Sequence, residues 1–373
     1  MKAKSRFFFV DKIILWLNVI LCLALLISYL APVTNPQIFW PVAFFGLAYP
    51  VLLMANLIMV FYWVFRRSLY MLLPVTCIAC GWNVLNNNIG FHKPGEDPGL
   101  KDGKIIRLMT YNVHNFKRYG AKNDTSTKQQ ILQIIKDQRP DILTIQEFFT
   151  RKRGKYDMRD SILAIMGSDY YYFEPLIYNA SEAIGIAIFS KFPIIAHGII
   201  PISDKNSENA CIYADLQKGN QRLRVYNVHL QSIGFDPEDY RYVNNIIQQG
   251  KPDMNSTKRL GNKLKAAFEK RSLQVKKIKG NSAACPYPFI ISGDFNDTPA
   301  SYAVNEMAEG LKNAFREKGY GLGRTYNGNF PNYQIDYIMA SKHFNILNYT
   351  IIEQKLSDHY PVRSDLVMGS LTH

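Results

Sequence analysis

The pattern of apolar and polar positions divides the chain in two. From Ile13 to Phe65 there is no Asp, Glu, Lys or Arg, a composition that a bilayer demands and a soluble domain rarely shows. Residues 13–31 would be about 28 Å long as a helix at 1.5 Å per residue, enough for the hydrocarbon core. The stretch APVTNPQ follows, with Pro32 and Pro36 to stop the helix. A second apolar run, 38–65, ends at Arg66 and Arg67, and a third, 69–85, is shorter and carries Pro74. Asn86, Asn87 and Asn88 mark the return to water. Three transmembrane helices (13–31, 38–65 and 69–85) are therefore predicted within residues 1–88, ahead of a Gly/Pro linker at 89–103.

Beyond the linker, strand-like runs alternate with helical ones. IIRLMTYN (105–112) has Ile106, Leu108 and Thr110 on one face, and DILTIQEF (141–148) is a nearly continuous apolar run of the kind buried in a sheet. Further strands are predicted at 184–190, 210–216, 222–230, 287–292, 333–340, 346–352 and 361–367. Helices are predicted at 126–138, 157–167 and 256–279. Such a mixture implies sheets covered by helices in one domain, residues 104–368.

Charge sets the orientation. Lys2, Lys4, Arg6 and Lys12 precede the first span and Arg66 and Arg67 follow the second, so both ends of that hairpin are expected in the cytoplasm. A cleavable signal peptide is disfavoured because a second span follows at once. A third span would carry the large domain to the outer face. The expectation is thus an integral protein of the cell (inner) membrane, its polar domain on the non-cytoplasmic side. The formal charge of +14 fits a polyanionic partner, an anionic membrane surface, or merely a lysine-rich solvated surface. Residues 251–279 hold ten Lys or Arg against Asp253 and Glu269. They could track a nucleic-acid backbone, rest on lipid headgroups, or form the wet face of a helix whose dry side is Leu264, Ala267, Phe268 and Val275. Cys77 and Cys80 form a C-x-x-C inside an apolar stretch without a second ligand pair, which favours packing over zinc. A Cys211–Cys285 disulfide is open if the domain is exported.

Polar residues collect at strand ends: Asn112; Gln146 and Glu147; Asn227 and His229; Asp294 and Asn296 in GDFND; Asp336; Asp358 and His359. Buried acids cost several kcal/mol unless paired or ligated, so a core does not gather them idly. Oxygen ligands without thiolates suit Mg²⁺ or Mn²⁺, and the two histidines could move protons or stabilise a phosphate. No G-x-x-x-x-G-K-[ST] or G-x-S-x-G occurs, which argues against phosphate-loop and α/β-hydrolase chemistry. Metal-assisted attack of water on phosphorus remains.

At these residues the sequence resembles the endonuclease/exonuclease/phosphatase superfamily, which includes DNase I-like nucleases, apurinic-site endonucleases, neutral sphingomyelinases and inositol-polyphosphate 5-phosphatases. MTYNVHNF, DILTIQE, YNVHLQS, ISGDFND, QIDYIM and SDHYPV stand in the family's order, and the likeness spans about 104–368. It implies a four-layer α/β sandwich, two packed β-sheets flanked by helices, preceded here by the transmembrane region. It also implies a divalent-metal-dependent phosphoester hydrolase. The leading expectation is a tethered nuclease or phosphodiesterase acting on nucleic acid. The alternatives are a sphingomyelinase-like enzyme acting on phospholipid headgroups, a phosphatase, and a silent binding module. By motif position, Glu147 is the main metal ligand, assisted by Asn112 and Asp358. Asp294, with Asn296 beside it, orients or deprotonates the water. His359 contacts the phosphoryl oxygens, held by Asp336. His229 protonates the leaving oxygen or stabilises the transition state. His114, Arg118 and Glu182 are weaker candidates, read as surface residues.

Overall fold

A computed structural model describes residues 9–93, 104–117, 125–203, 207–328 and 332–369. Arg118 and most of the expected linker lie outside the described residues.

Two mixed sheets pack face to face. Across the first run Phe344–Ile346, Val362–Met368, Ile105–Asn112, Ile142–Arg151, Glu182–Ser190 and Tyr170–Tyr178, with Thr350–Ile351 added on Val362–Met368. Across the second run Lys312–Asn313, Asp336–Ala340, Phe289–Asp294, Gln221–His229, Ala210–Lys218 and Ile194–Ile200. Alternation along each strand decides what faces what. Ile106, Leu108, Ile142, Leu223, Val225, Ile290 and Ile338 meet between the sheets. Met109, Tyr111, Leu143 and Ile145 face the helices Thr125–Gln138 and Met158–Met166 through Ile131, Ile135 and Ile162. On the other outer side Tyr226, Val228 and Ile291 meet Val275 and Ile278 of the helix Met254–Ala283 and Val304 and Met307 of Tyr302–Ala308. The result is the expected four-layer sandwich.

Some elements differ from expectation. The strands Tyr170–Tyr178 and Ile194–Ile200, each with one neighbour in its sheet, and the helices Pro237–Gln249 and Tyr302–Ala308 were not foreseen. The strand expected at 333–340 begins only at Asp336, and that expected at 346–352 is two short pieces, Phe344–Ile346 and Thr350–Ile351. Cys211 and Cys285 are free thiols, so the disulfide does not form, and Cys77 and Cys80 are free as well.

In the N-terminal part, Phe9–Ser28 is one helix long and apolar enough to cross a membrane. The other two expected spans are broken. Pro41–Leu47 and Tyr49–Phe65 meet at 63°, and Leu69–Cys80 and Trp82–Asn88 at 67°, so each reaches spanning length only if the bent pair counts as one. Pro41 and Pro50 each stand in the first turn of a new helix, where a missing N–H costs nothing. Pro74 likewise sits in the opening turn of Leu72–Cys80 and leaves that helix intact. Glycine lets this region press on the sandwich. A Cβ at Gly46 would stand 2.5 Å from Ala31 Cβ and 3.0 Å from the Ala300 carbonyl oxygen, and Ala300 is buried in the same cluster as Cys22, Leu25 and Tyr49. The Gln37 amide donates to the Glu269 carbonyl at 2.8 Å, Tyr333 Oη donates to the Leu47 carbonyl at 3.0 Å, and Phe44 packs edge-on against Phe268.

Candidate active site

Along the inner strand faces, the side chains change from hydrocarbon to hydroxyl to amide to acid toward one end of the sandwich. Ile106 and Leu108 give way to Thr110 and Asn112, Ile142 to Thr144 and Gln146, Leu223 and Val225 to Asn227 and His229, and Ile290 to Ser292 and Asp294. Two pairs of neighbours are parallel, Ile105–Asn112 with Ile142–Arg151 and Gln221–His229 with Phe289–Asp294. Their carboxyl ends therefore open at the same end. Asp336 begins an antiparallel strand directly opposite Asp294.

Three local features aim the side chains. The pairing of Ile142–Arg151 slips between Ile145 and Phe148, and Glu147 takes φ 50°. Such a bulge re-aims a side chain that plain alternation would send toward the outer helices. At Gly293 (φ 139°) a Cβ would lie 2.0 Å from the Val228 carbonyl oxygen. Only glycine lets these strands close so that His229 stands opposite Asp294. Asn296, at φ 52°, turns the chain back so that its N–H donates to Asp294 Oδ1 at 2.8 Å.

Asp294 is the centre of the arrangement. Its Oδ2 accepts from Asn112 Nδ2 at 3.1 Å and Asn296 Nδ2 at 3.3 Å, and lies 3.6 Å from both His229 Nε2 and His359 Nε2. The same Asn112 amide donates to Glu147 Oε1 at 3.1 Å. His359 Nδ1 donates to Asp336 Oδ2 at 2.9 Å, and its ring meets Tyr326 edge-on. Ser357 Oγ donates to the Asn112 carbonyl at 2.8 Å and lies 3.2 Å from Asp358 Oδ1, tying the loop that carries Asp358 to the first strand.

Electrostatics follow from this packing. Burial pushes the Asp294 carboxyl up to about 6; the nearby His359 and His229 oppose that rise and Asp336 adds to it. Burial works against the charge on His359, but Asp336 and Asp294 carry its pKa well above the ordinary histidine value. Burial also works against the charge on Glu147, yet the His114 hydrogen bond, the His229 imidazole and the Asn112 amide hold its carboxyl down to about 2. The site thus presents an anion at Glu147, an imidazolium at His359 and a carboxylate at Asp294 that ionises just below neutrality.

All eight residues singled out above, Asn112, Glu147, His229, Asp294, Asn296, Asp336, Asp358 and His359, lie at this end of the sandwich. Two other strand-end residues do not enter it. Gln146 Nε2 donates to Asn227 Oδ1 at 2.5 Å, and Asn227 Nδ2 donates to the Ile145 and Ala187 carbonyls. They bolt one sheet to the other. Glu182 pairs with Arg151 at 3.0 Å elsewhere on the surface. His114 is the correction: far from being a mere surface residue, it puts Nδ1 3.4 Å from Glu147 Oε2 and 3.6 Å from Asp358 Oδ1. It does so from a tight turn in which His114, Asn115 and Phe116 all have positive φ. The MTYNVHNF motif contained this residue, but periodicity carries no signal for such a turn.

The donor set fits a hard divalent cation. Glu147 and Asp358 converge on one imidazole nitrogen, so two oxygen-bearing acids already point at a common cationic position. Asp294, Asp336 and His359 also bring one potential ligand atom each within 4.8 Å of one another.

Two facing sheets thus carry acids, amides and imidazoles gathered at one end of an α/β sandwich. The comparisons make this specific: residues 109–359 match the Endonuclease/Exonuclease/phosphatase family, and the chain belongs to it. Residues 11–88 match a domain of unknown function. No curated protein matches the chain in sequence. Among solved structures, an endonuclease/exonuclease/phosphatase from Beutenbergia cavernae is similar at TM-score 0.50 and 18% identity, covering 71% of this chain and 72% of that one. The human Nocturnin catalytic domain with bound sulfate gives 0.50 and 16%, covering 71% and 95%. An endonuclease/exonuclease/phosphatase family protein from Bacteroides thetaiotaomicron gives 0.50 and 17%, covering 71% and 98%. At such identities the likeness concerns the fold.

Proposed function

We propose that this chain is a membrane-tethered phosphoester hydrolase that uses Mg²⁺ or Mn²⁺ to drive attack of water on a phosphodiester. The observation that carries the reading is Asp294, a buried carboxylate held between two imidazole nitrogens, each 3.6 Å away, and hydrogen-bonded to the amide that also holds Glu147.

Glu147, with Asn112 and Asp358, would hold the ion, and His114 stands beside them. When bound, such an ion polarises a phosphoryl oxygen and offsets charge in the transition state. Asp294, ionised near neutrality, orients a water and takes its proton. Asn296 fixes that carboxylate through its backbone N–H and side-chain amide. His359, kept protonated by Asp336, donates to the phosphoryl oxygens where negative charge grows. His229, on the other side of Asp294, protonates the departing oxygen or steadies the same charge.

The tether is the N-terminal region, residues 1–88, with 89–103 joining it to the catalytic unit at 104–368. Phe9–Ser28 supports one span, and the bent pairs support two more if each crosses. Three crossings with cytoplasmic Arg66 and Arg67 put the catalytic unit outside the inner membrane. A C-terminal alkaline phosphatase fusion tests this: an active fusion supports the outer location and an inactive one refutes it.

Turnover of bis(p-nitrophenyl) phosphate by the full chain tests the chemistry. Wild type should hydrolyse it with Mg²⁺ or Mn²⁺, while Asp294→Ala and His359→Ala should each lose at least about 10³ in kcat. Equal rates in wild type and either variant would sink the site assignment.

A further inference from the structure

We propose that the N-terminal apolar segment is a wall of the substrate site, and that the substrate is an amphiphile: a phosphoester head carrying an aliphatic chain drawn from the bilayer. This rests on the hydrolase reading above. A cavity of about 600 Å³ opens beside Asp294, His229 and His359, within the range of about 300–1,000 Å³ usual for sites that hold small molecules. Hydrocarbon lines it from two sources, Phe44, Leu47 and Val51 of the N-terminal segment and Leu260, Leu264 and Phe268 of the helix Met254–Ala283. The wall is seated on the catalytic unit by the Tyr333–Leu47 hydrogen bond and the Phe44–Phe268 contact. Val51 nevertheless remains 67% exposed, apolar surface left uncovered at the mouth of a phosphoryl site.

The charges disfavour a polyanion here. A nucleic-acid groove needs several cations free to meet successive phosphates. Among the described residues no lysine lines this cavity, and the one arginine that does, Arg271, is committed to Asp297 at 2.8 Å and the Gln231 carbonyl at 3.0 Å. Of the basic residues on the neighbouring helix, Arg259 and Lys263 are paired with Asp239, and Lys279 with Glu306 and Glu309. What the cavity offers is one phosphate position and a greasy wall, and that wall continues into helices apolar enough for lipid.

The test uses p-nitrophenyl alkyl phosphates with methyl, butyl and octyl chains, and the full chain in nanodiscs. Water adds to phosphorus, the bond to nitrophenolate breaks, and the alkyl phosphate remains. Each buried methylene favours binding about fourfold, so with part of the chain buried kcat/KM should rise at least about tenfold from methyl to octyl. Val51→Asn and Leu260→Asn, assayed in the same discs, should pull the octyl-to-methyl ratio toward one, since partitioning into lipid is common to all three proteins. A flat profile in wild type, or an unchanged ratio in both variants, overturns the wall. Calorimetry with octyl phosphate against methyl phosphate separates the two readings. Tail-dependent binding without turnover would sink the hydrolase and keep the wall, whereas turnover with equal binding of the two phosphates would sink the wall alone.

Discussion

Replacing Asp294 by Asn separates what this carboxylate costs the fold from what it does for chemistry. Its pKa stands near 6 instead of the ordinary 3.8, and each unit corresponds to about 1.4 kcal/mol, so ionised Asp294 costs the native state about 3 kcal/mol. The folded pKa lies above the unfolded one, so the native state holds the proton more tightly. That contribution is complete below pH 3.8 and is lost as pH rises through about 6. Asparagine has the same shape, carries no charge and keeps an oxygen for the Asn296 N–H, but its amide nitrogen replaces the oxygen that accepts from Asn112 and Asn296, a loss present at every pH. In chelator, the stability of Asp294→Asn relative to wild type should therefore be about 3 kcal/mol higher at pH 8 than at low pH, roughly 5–10 °C in Tm for a domain of this size. That pH-dependent part should close below pH 4 while turnover remains abolished. Thermal unfolding followed by tyrosine and tryptophan fluorescence from pH 4 to 8 reads both arms. A difference between the Asn variant and wild type that is the same at pH 4 as at pH 8 would refute the reasoning.

Glu147→Ala removes a carboxylate held strongly acidic by its neighbours, and the Mg²⁺ or Mn²⁺ concentration for half-maximal activity should rise at least about tenfold; an unchanged titration takes it off the ligand set. Asp336→Asn removes the main partner that keeps His359 protonated. The His359 pKa should fall, the alkaline limb of the pH–rate profile should move to lower pH, and kcat should drop by about 10²–10⁴. Arg271→Met strands the buried Asp297 and should cost about 3–5 kcal/mol in urea unfolding, most of it recovered when Asp297→Asn is added.

Much of this architecture is legible in the sequence because period and burial agree. The strands Ile105–Asn112 and Gln221–His229 and the helix Met254–Ala283 all fall where apolar spacing puts them, since each has a dry face wide enough to leave a pattern. Tyr170–Tyr178 and Ile194–Ile200 escape because each pairs on one side only and is largely half-buried or exposed, so apolar residues face both ways. The bends in the N-terminal helices escape for a different reason. Apolarity measures what a segment dissolves in, whereas helix direction is set by prolines at Pro41 and Pro50 and by the non-helical Gly81.

The candidate site was legible through residue chemistry more than position. Six strand-end clusters looked alike, yet Gln146 and Asn227 bond to each other across the sheets, while His229 meets Asp294 and Glu147 shares the Asn112 amide with it. On Gln221–His229 the difference is one step of two residues along the same face, from interior to mouth. At Glu147 it takes the bulge and a positive φ, and no alternation rule anticipates that. Charge alone could not choose among the three readings open for the basic run 251–279, because charge counted along a sequence ignores partners. Once folded, Arg271 and Lys263 are bound to acids brought from elsewhere in the chain, and the helix turns Leu260, Leu264 and Phe268 toward the cavity. The dry side expected of that helix, Leu264 and Phe268 within it, is the side that lines the cavity. Substrate class is therefore better argued from which side chains remain unspent around the phosphoryl position than from net charge.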